Sequence, residues 1–402
     1  MHKSKTLLIL FTLCSLALKA QDKSKNVSQT STYQSYTEVR AIENPDSLLI
    51  KARELLKQDK QFAPAWVLIG KAYNTKSQMP HPKKEVFADS AKIAAQKALE
   101  LDPESPEALS FAALQDFLNG KIASSRNYQY ALNTTLTISR GLSFNNLNEG
   151  RLTEAYKWSD ASFTAYPDAS WALRYHGVVA YTLGFYEEAE HCYQKIISSA
   201  KNIDLDAHYK LAHLYLATNQ NTKATEQYEL FRKRRYYAEN RMHLSSFLFA
   251  SQLGVFLGKY EEALEDLNLF LEETHNYWVP PQVFGYQLTT LMALLQQKAG
   301  KDIESKTALS QSQKKAEALL AQGNEGYGVQ LDLAAVYALE GNNEKAMQHL
   351  SKAVEKGFRD AEWLKRNPLF ESVKETDQFN TLLQQIGAFV ITDTEKINSI
   401  RK

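Results

Sequence analysis

The sequence predicts an all-α solenoid, a row of antiparallel helix pairs stacked along the chain. Three observations point to it. Ala, Leu, Tyr, Glu, Lys and Gln abound, while Gly and Pro number only 16 and 10 in 402 residues, a balance that favours helix over strand. A triplet of a small residue, a large residue four later and an apolar or small residue three beyond recurs as Ala189/Tyr193/Ile196, Ala224/Tyr228/Phe231, Ala263/Leu267/Phe270 and Ala346/Leu350/Ala353. Spacings of four and three place each triplet on one helix face. The segments "LGFYEEA", "LGKYEEA" and "EGNNEKA" then punctuate the pattern. Their Gly suits a left-handed helix end, and their acidic residues suit the positive start of the next helix.

The N-terminus reads as processing sequence. "MHKSK" is basic, "TLLILFTLCSLAL" is apolar, and "KAQ" supplies the small Ala20. Residues 1–20 are expected to be a secretory signal peptide, too short for a membrane span, and 21–44 a polar flexible linker. The Ala-Gln ending resembles signal peptides of Bacteroidetes-type Gram-negative bacteria. That resemblance implies the periplasm, with outer-membrane association the alternative. Leu13 precedes Cys14 where a lipobox wants a small residue. Cleavage after Ala20 removes Lys3, Lys5 and Lys19, taking the formal charge from +1 to −2. It leaves Cys192 alone, so no internal disulfide is available and stability must come from helix packing.

Residues 45–356 carry about eight helix pairs. First helices show large–small–large faces: Trp66, Ile69, Gly70 and Tyr73; then Leu211, Ala212 and Tyr215; then Leu333, Ala334 and Tyr337. The small residues Gly70, Ala113, Ser143, Gly177, Ala212, Ser251, Ala293 and Ala334 mark one first helix each. Small residues let two helices approach, and no single pair can bury both its faces, so the units must stack.

On these residues, together with "ALELDP" at Ala98–Pro103, the chain resembles the tetratricopeptide repeat (TPR) family. The resemblance covers roughly Leu48 to Val354. It implies a right-handed superhelix whose first helices line a concave, partner-binding groove. Positions one or two steps off the packing face are Arg140, Phe144, Arg174, Tyr181, Tyr209 and His213. Arg140 and Arg174 lie one repeat apart and would suit a carboxylate on a peptide or an acidic loop, unless each pairs with a nearby Asp or Glu. The family's best-known grip on a C-terminal carboxylate uses Lys and Asn. Phe144 stands in the Asn place, so that chemistry is not carried over.

Other chemistry finds little support. Charge is balanced, and the run "FRKRRYY" sits at a helix C-terminus where cations complement the dipole. Nucleic acid is therefore not expected as a partner, and membrane contact only peripherally. Nucleophile elbow, Walker loop, Cys-x-x-Cys and His-Glu-x-x-His motifs are absent. His208 and His213 are five apart, one more than a shared metal-binding face wants. No catalytic residue, cofactor or metal is expected. The chain reads as a non-catalytic interaction scaffold. A regulatory or sensor arm for a separate signalling or secretion partner is the alternative, and an enzyme with an unrecognised site is a third reading that would need a deep pocket with convergent polar groups.

Residues 357–390 are expected to cap the array, with 391–402 a tail. Gly357 ends the last repeat helix, Pro368 stops the short helix after it, and Phe379, Leu382, Leu383 and Ile386 share a face. Trp363-Leu364, Pro368 and Phe379…Leu382-Leu383 resemble the C-terminal segment of TPR arrays in bacterial regulators and TPR-bearing hydrolases. There the effector domain lies upstream. Here a signal peptide and polar tether stand upstream, which implies an effector on another protein.

Overall fold

The computed structural model describes residues 31–79, 81–132, 135–200, 203–234, 244–273 and 288–401, with side chains for all of these but 31, 135–140 and 244. The signal-peptide segment lies outside the described residues. Two compact units emerge, Met1–Gln115 with Asn127–Ile138 and Asp116–Arg126 with Ser139–Lys402.

The first unit contains α1 (Ser31–Val39), α2 (Pro45–Gln58), α3 (Ala63–Ser77), α4 (Lys84–Leu101) and most of α5 (Pro106–Leu118). Asn44 starts α2 by accepting the amides of Asp46 and Ser47, and Pro45 occupies the first turn, where its missing N–H costs nothing. α1 lies inside the stretch expected to be a flexible linker. Its helix is held because Tyr36 and Val39 share a face and are buried with Leu48, Leu49 and Phe62, Tyr36 meeting the Phe62 ring edge-on at 5.7 Å. A Cβ on Gly70 would lie 2.2 Å from the Phe111 ring, so this small residue is what lets α3 and α5 approach.

The second unit takes up residues 122–126 of α6 (Ile122–Ala131) and 139–148 of α7 (Thr135–Asn148), the rest of both helices belonging to the first. It then pairs α8 (Leu152–Ala165) with α9 (Ser170–Thr182) and α10 (Tyr186–Ser199), and adds α11 (Leu205–Ala217), α12 (Asn221–Lys233), α13 (Leu244–Phe256) and α14 (Tyr260–Glu273). The last pairs are α15 (Leu288–Lys298) with α16 (Asp302–Ala321) and α17 (Tyr327–Leu339) with α18 (Asn343–Glu355). The eight small marker residues, Gly70 to Ala334, fall one to each odd-numbered helix from α3 to α17, and all are buried. From α5 to α17 each odd helix ends on a left-handed residue: Gly120, Gly150, Gly184, Asn219, Gly258, Gly300 and Gly341. At Gly184 the amide of Phe185 returns to Ala180 O at 2.9 Å, closing the exposed carbonyls of α9. Asn219 fills the same place because its short side chain tolerates positive φ better than any other non-glycine residue type except Asp.

After α18 come α19 (Ala361–Arg366), a 3-10 turn (Pro368–Val373) and α20 (Asp377–Arg401). Phe370, Phe379, Leu382 and Ile386 close the core of the last pairs. α20 then continues through the stretch expected as a tail. Its far end buries Ile397 among Leu152, Tyr156 and Val179, and Thr153 donates to Asp393 at 2.7 Å. The second unit also closes on itself elsewhere, Glu325 N–H donating to Gly120 O at 2.8 Å.

Candidate functional site

The odd-numbered helices of the second unit present their off-core side chains to a groove, and the chain's own segment Gly357–Arg366 lies in it. Phe358 meets Tyr327 edge-on at 5.5 Å, and Trp363 lies 6.2 Å from Phe256 of α13. Arg366 donates to Asn219 Oδ1 at 2.8 Å. Asp360 begins α19, accepting the Trp363 amide at 2.9 Å, and also accepts from the Tyr181 hydroxyl at 3.5 Å.

Between segment and helices remains a chamber of about 360 Å³, within the size range of small-molecule pockets. Its walls include Phe144, Tyr181, Tyr209, Tyr327, Phe358 and Trp363, with Asp360, His213, Lys210 and Arg359 as the charged or titratable members. Burial pushes the Asp360 carboxyl up to about 6, against the lowering effect of its bonds from Trp363 and Tyr181. Burial pushes His213 down to about 3, and its Nε2 has no hydrogen-bond partner. The imidazole is therefore neutral near pH 7. It packs edge-on to Tyr209 at 4.6 Å and to Phe256 at 5.0 Å.

Four of the six residues expected in the groove, Phe144, Tyr181, Tyr209 and His213, line this one chamber. Arg174 is engaged elsewhere. It pairs with Asp204 at 2.6 Å and with Asp206, the intramolecular alternative to gripping a partner, so its fork is already filled by carboxylates from α11 and its N-cap. Arg140 belongs to α7, but its side chain lies outside the described residues. Asp360, Tyr327, Phe358 and Trp363 were not legible as groove residues. The Asp-x-x-Trp start of α19 signalled a helix cap, but nothing local signalled that the cap faces Tyr181.

A second polar cluster fastens the far end of α20. Glu188 accepts from His176 Nε2 and from Arg401, each at 2.6 Å. Arg401 also reaches the Tyr156 hydroxyl and lies 4.7 Å over that ring. Burial alone would raise the Glu188 carboxyl, but these bonds reverse that and hold it at about 2. Cys192 is fully buried beneath this cluster, and burial pushes its thiol up to about 12. Such a thiol is a packing element rather than a nucleophile.

The Asp360 shift carries a pH signature. A carboxyl whose folded pKa is raised stabilises the fold below its unfolded pKa, near 3.8, and loses that contribution as pH rises through about 6. Relative to Asp360→Asn, which keeps the capping oxygen, the wild-type chain should lose about 2–3 kcal/mol between pH 4 and 7. Urea denaturation of both proteins at the two pH values measures it, and an equal pH dependence of the two stabilities would refute a raised Asp360 pKa.

Among the described residues, no group of three or more His, Cys, Asp and Glu is placed to hold a metal ion, and no helix is long and apolar enough to cross a membrane. No family model and no curated protein sequence matches the chain. Solved structures do. A human IFIT1 dimer with PPP-AAAA aligns at a TM-score of 0.50 and 13% identity over 85% of this chain and 78% of that one. PilW, a type IV pilus biogenesis factor, aligns at 0.43 and 17% over 52% of this chain and 94% of that one. A tetratricopeptide repeat protein from Parabacteroides merdae aligns at 0.37 and 14%, covering 76% and 98% respectively.

The fold is an all-α solenoid of the TPR type, built from antiparallel helix pairs. The regular recurrence of a buried small residue in the first helices and a left-handed residue just after them is what builds it. Within the second unit, Gly357–Arg366 lies against the off-core side chains of the odd-numbered helices, with the chamber between them.

Proposed function

We propose that this chain is a non-catalytic scaffold that binds protein or peptide partners in the periplasm or elsewhere in the cell envelope. One observation carries the reading: the first-helix surface of the second unit already holds a peptide segment, a turn followed by the short helix α19. It does so with aromatic side chains and single hydrogen bonds, at Phe358, Asp360, Trp363 and Arg366. A surface built in this way has the chemistry of peptide recognition. Export rests on the basic, apolar and small-residue pattern of residues 1–20.

The test has two steps. Intact-mass measurement of the exported chain should give a mature N-terminus at Gln21; retention of residues 1–20 overturns the envelope placement. The mature chain should then capture a partner from a periplasmic extract and form a defined complex when both are purified. A purified pair that does not associate, or that turns over as enzyme and substrate, overturns the scaffold reading.

The self-occupied groove favours a second reading, a regulatory arm. A partner that repacks Gly357–Arg366 would alter the face that the solenoid presents. Hydrogen exchange of residues 357–366 should then change when the purified partner binds; unchanged exchange leaves the passive scaffold.

A further inference from the structure

The chamber has features that peptide binding does not use. Its walls are largely aromatic: the Tyr181 hydroxyl donates to the Asp360 carboxyl at 3.5 Å, and Tyr193, Tyr209 and Tyr327 line the same chamber. No cation is paired with it among the described residues: it receives one backbone N–H and one tyrosine hydroxyl. The two cations of the wall are committed elsewhere. Arg359 donates to the carbonyls of Val354 at 2.6 Å and Phe358 at 2.9 Å and lies 4.3 Å over the Phe389 ring. Lys210 leans toward Asp206, 3.9 Å away. The imidazole of His213 adds no charge. An ionised Asp360 therefore leaves one uncompensated negative charge facing aromatic rings in a half-open chamber.

Such a charge is costly without a partner, and aromatic faces attract cations rather than anions. We propose that the chamber is a binding site for a small organic cation, an ammonium group carried on an aromatic or aliphatic body. The ammonium would pair with Asp360 and accept the faces of the surrounding tyrosines. The body would fill the apolar part of the wall formed by Leu147, Val178 and Leu331. This goes beyond the scaffold reading and does not depend on it, since it concerns a ligand held between the groove and the segment already in it.

The experiment uses the full mature chain and three probes of one shape and different charge: tyramine, para-ethylphenol and para-hydroxyphenylacetate. Calorimetric titration at pH 7.5 should rank them in that order, with tyramine at least about tenfold tighter than the neutral probe, the equivalent of one well-placed charge pair. Asp360→Asn keeps the α19 cap and should lower tyramine affinity by at least about tenfold while changing para-ethylphenol by less than about twofold. Where that variant fails to fold, Val178→Phe, which fills the chamber from its apolar side, should abolish binding of both probes. Equal affinity for the three probes, preference for the anion, an unchanged tyramine affinity in Asp360→Asn, or no binding of any probe would each overturn the proposal.

Discussion

Gly357→Ala should destabilise the second unit by about 2–5 kcal/mol, the largest loss expected from adding a single methyl group to any of the described glycines. Gly357 has φ +110°, a conformation that L side chains rarely adopt, and strain of that kind costs about 1–2 kcal/mol. Its Cβ would also fall 2.4 Å from the carbonyl carbon of Glu149 and 2.6 Å from Asn148 O. Those are backbone atoms of the α7–α8 turn and cannot rotate away, so overpacking adds about 1–3 kcal/mol. Gly341→Ala is the control. Its φ is +77°, and nothing lies within 4 Å of the added carbon, so only the strain remains. Chemical denaturation of the two variants separates contact from conformation. Equal losses would mean that the 357 turn does not press against the 148–150 turn, and that the groove is not closed by its own segment.

Phe370→Ala and Phe379→Ala should each cost about 3–5 kcal/mol, the range for emptying a large aromatic site in a close-packed core. Both rings are almost fully buried among Leu350, Val354, Leu364 and Leu382. Phe370 sits in the 3-10 turn and Phe379 in the first turn of α20, so the pair measures whether the C-terminal segment belongs to the core or merely covers it. A loss below about 1 kcal/mol in both variants, read from urea midpoints at constant m-value, would make the segment a detachable cover. Because Trp363 packs on Phe370 at 6.2 Å, the Phe370 variant should also weaken the chamber wall. Phe379 should not, which lets stability and ligand effects be read apart.

The regulatory reading gains a physical handle from these contacts. Arg401, Glu188, His176 and Tyr156 tie the end of α20 to α8, α9 and α10. Folded-state depression of the Glu188 pKa means that this tie contributes above about pH 4.5 and is lost as pH falls toward about 2. The tie is thus intact across the range where Asp360 titrates, and the two carboxylates act in separate pH windows.

Much of this protein can be read from its sequence because the repeat is local. Ala189, Tyr193 and Ile196 share a face whatever surrounds them, since 3.6 residues per turn decides it. Gly184, Gly258 and Gly341 end helices because left-handed backbone is cheap only there. A small residue at Gly177 is demanded by the Tyr193 ring, 2.7 Å from where a Cβ would stand. The aromatic lining of the groove came from the same register, which is why Phe144, Tyr181, Tyr209 and His213 meet at one chamber.

The tertiary structure alone decided what fills the groove. Arg401 meets Glu188 across 213 residues, Tyr181 meets Asp360 across 179, and Arg366 meets Asn219 across 147. Such contacts depend on the curvature summed over many stacked pairs, to which each local motif adds only a small rotation. For the same reason a helix-capping Asp, ordinary in sequence, became a carboxyl on a tyrosine-lined chamber. Arg174, open in sequence to a partner's carboxylate or to a neighbouring Asp or Glu, was claimed by Asp204 and Asp206 once α9 and α11 lay side by side.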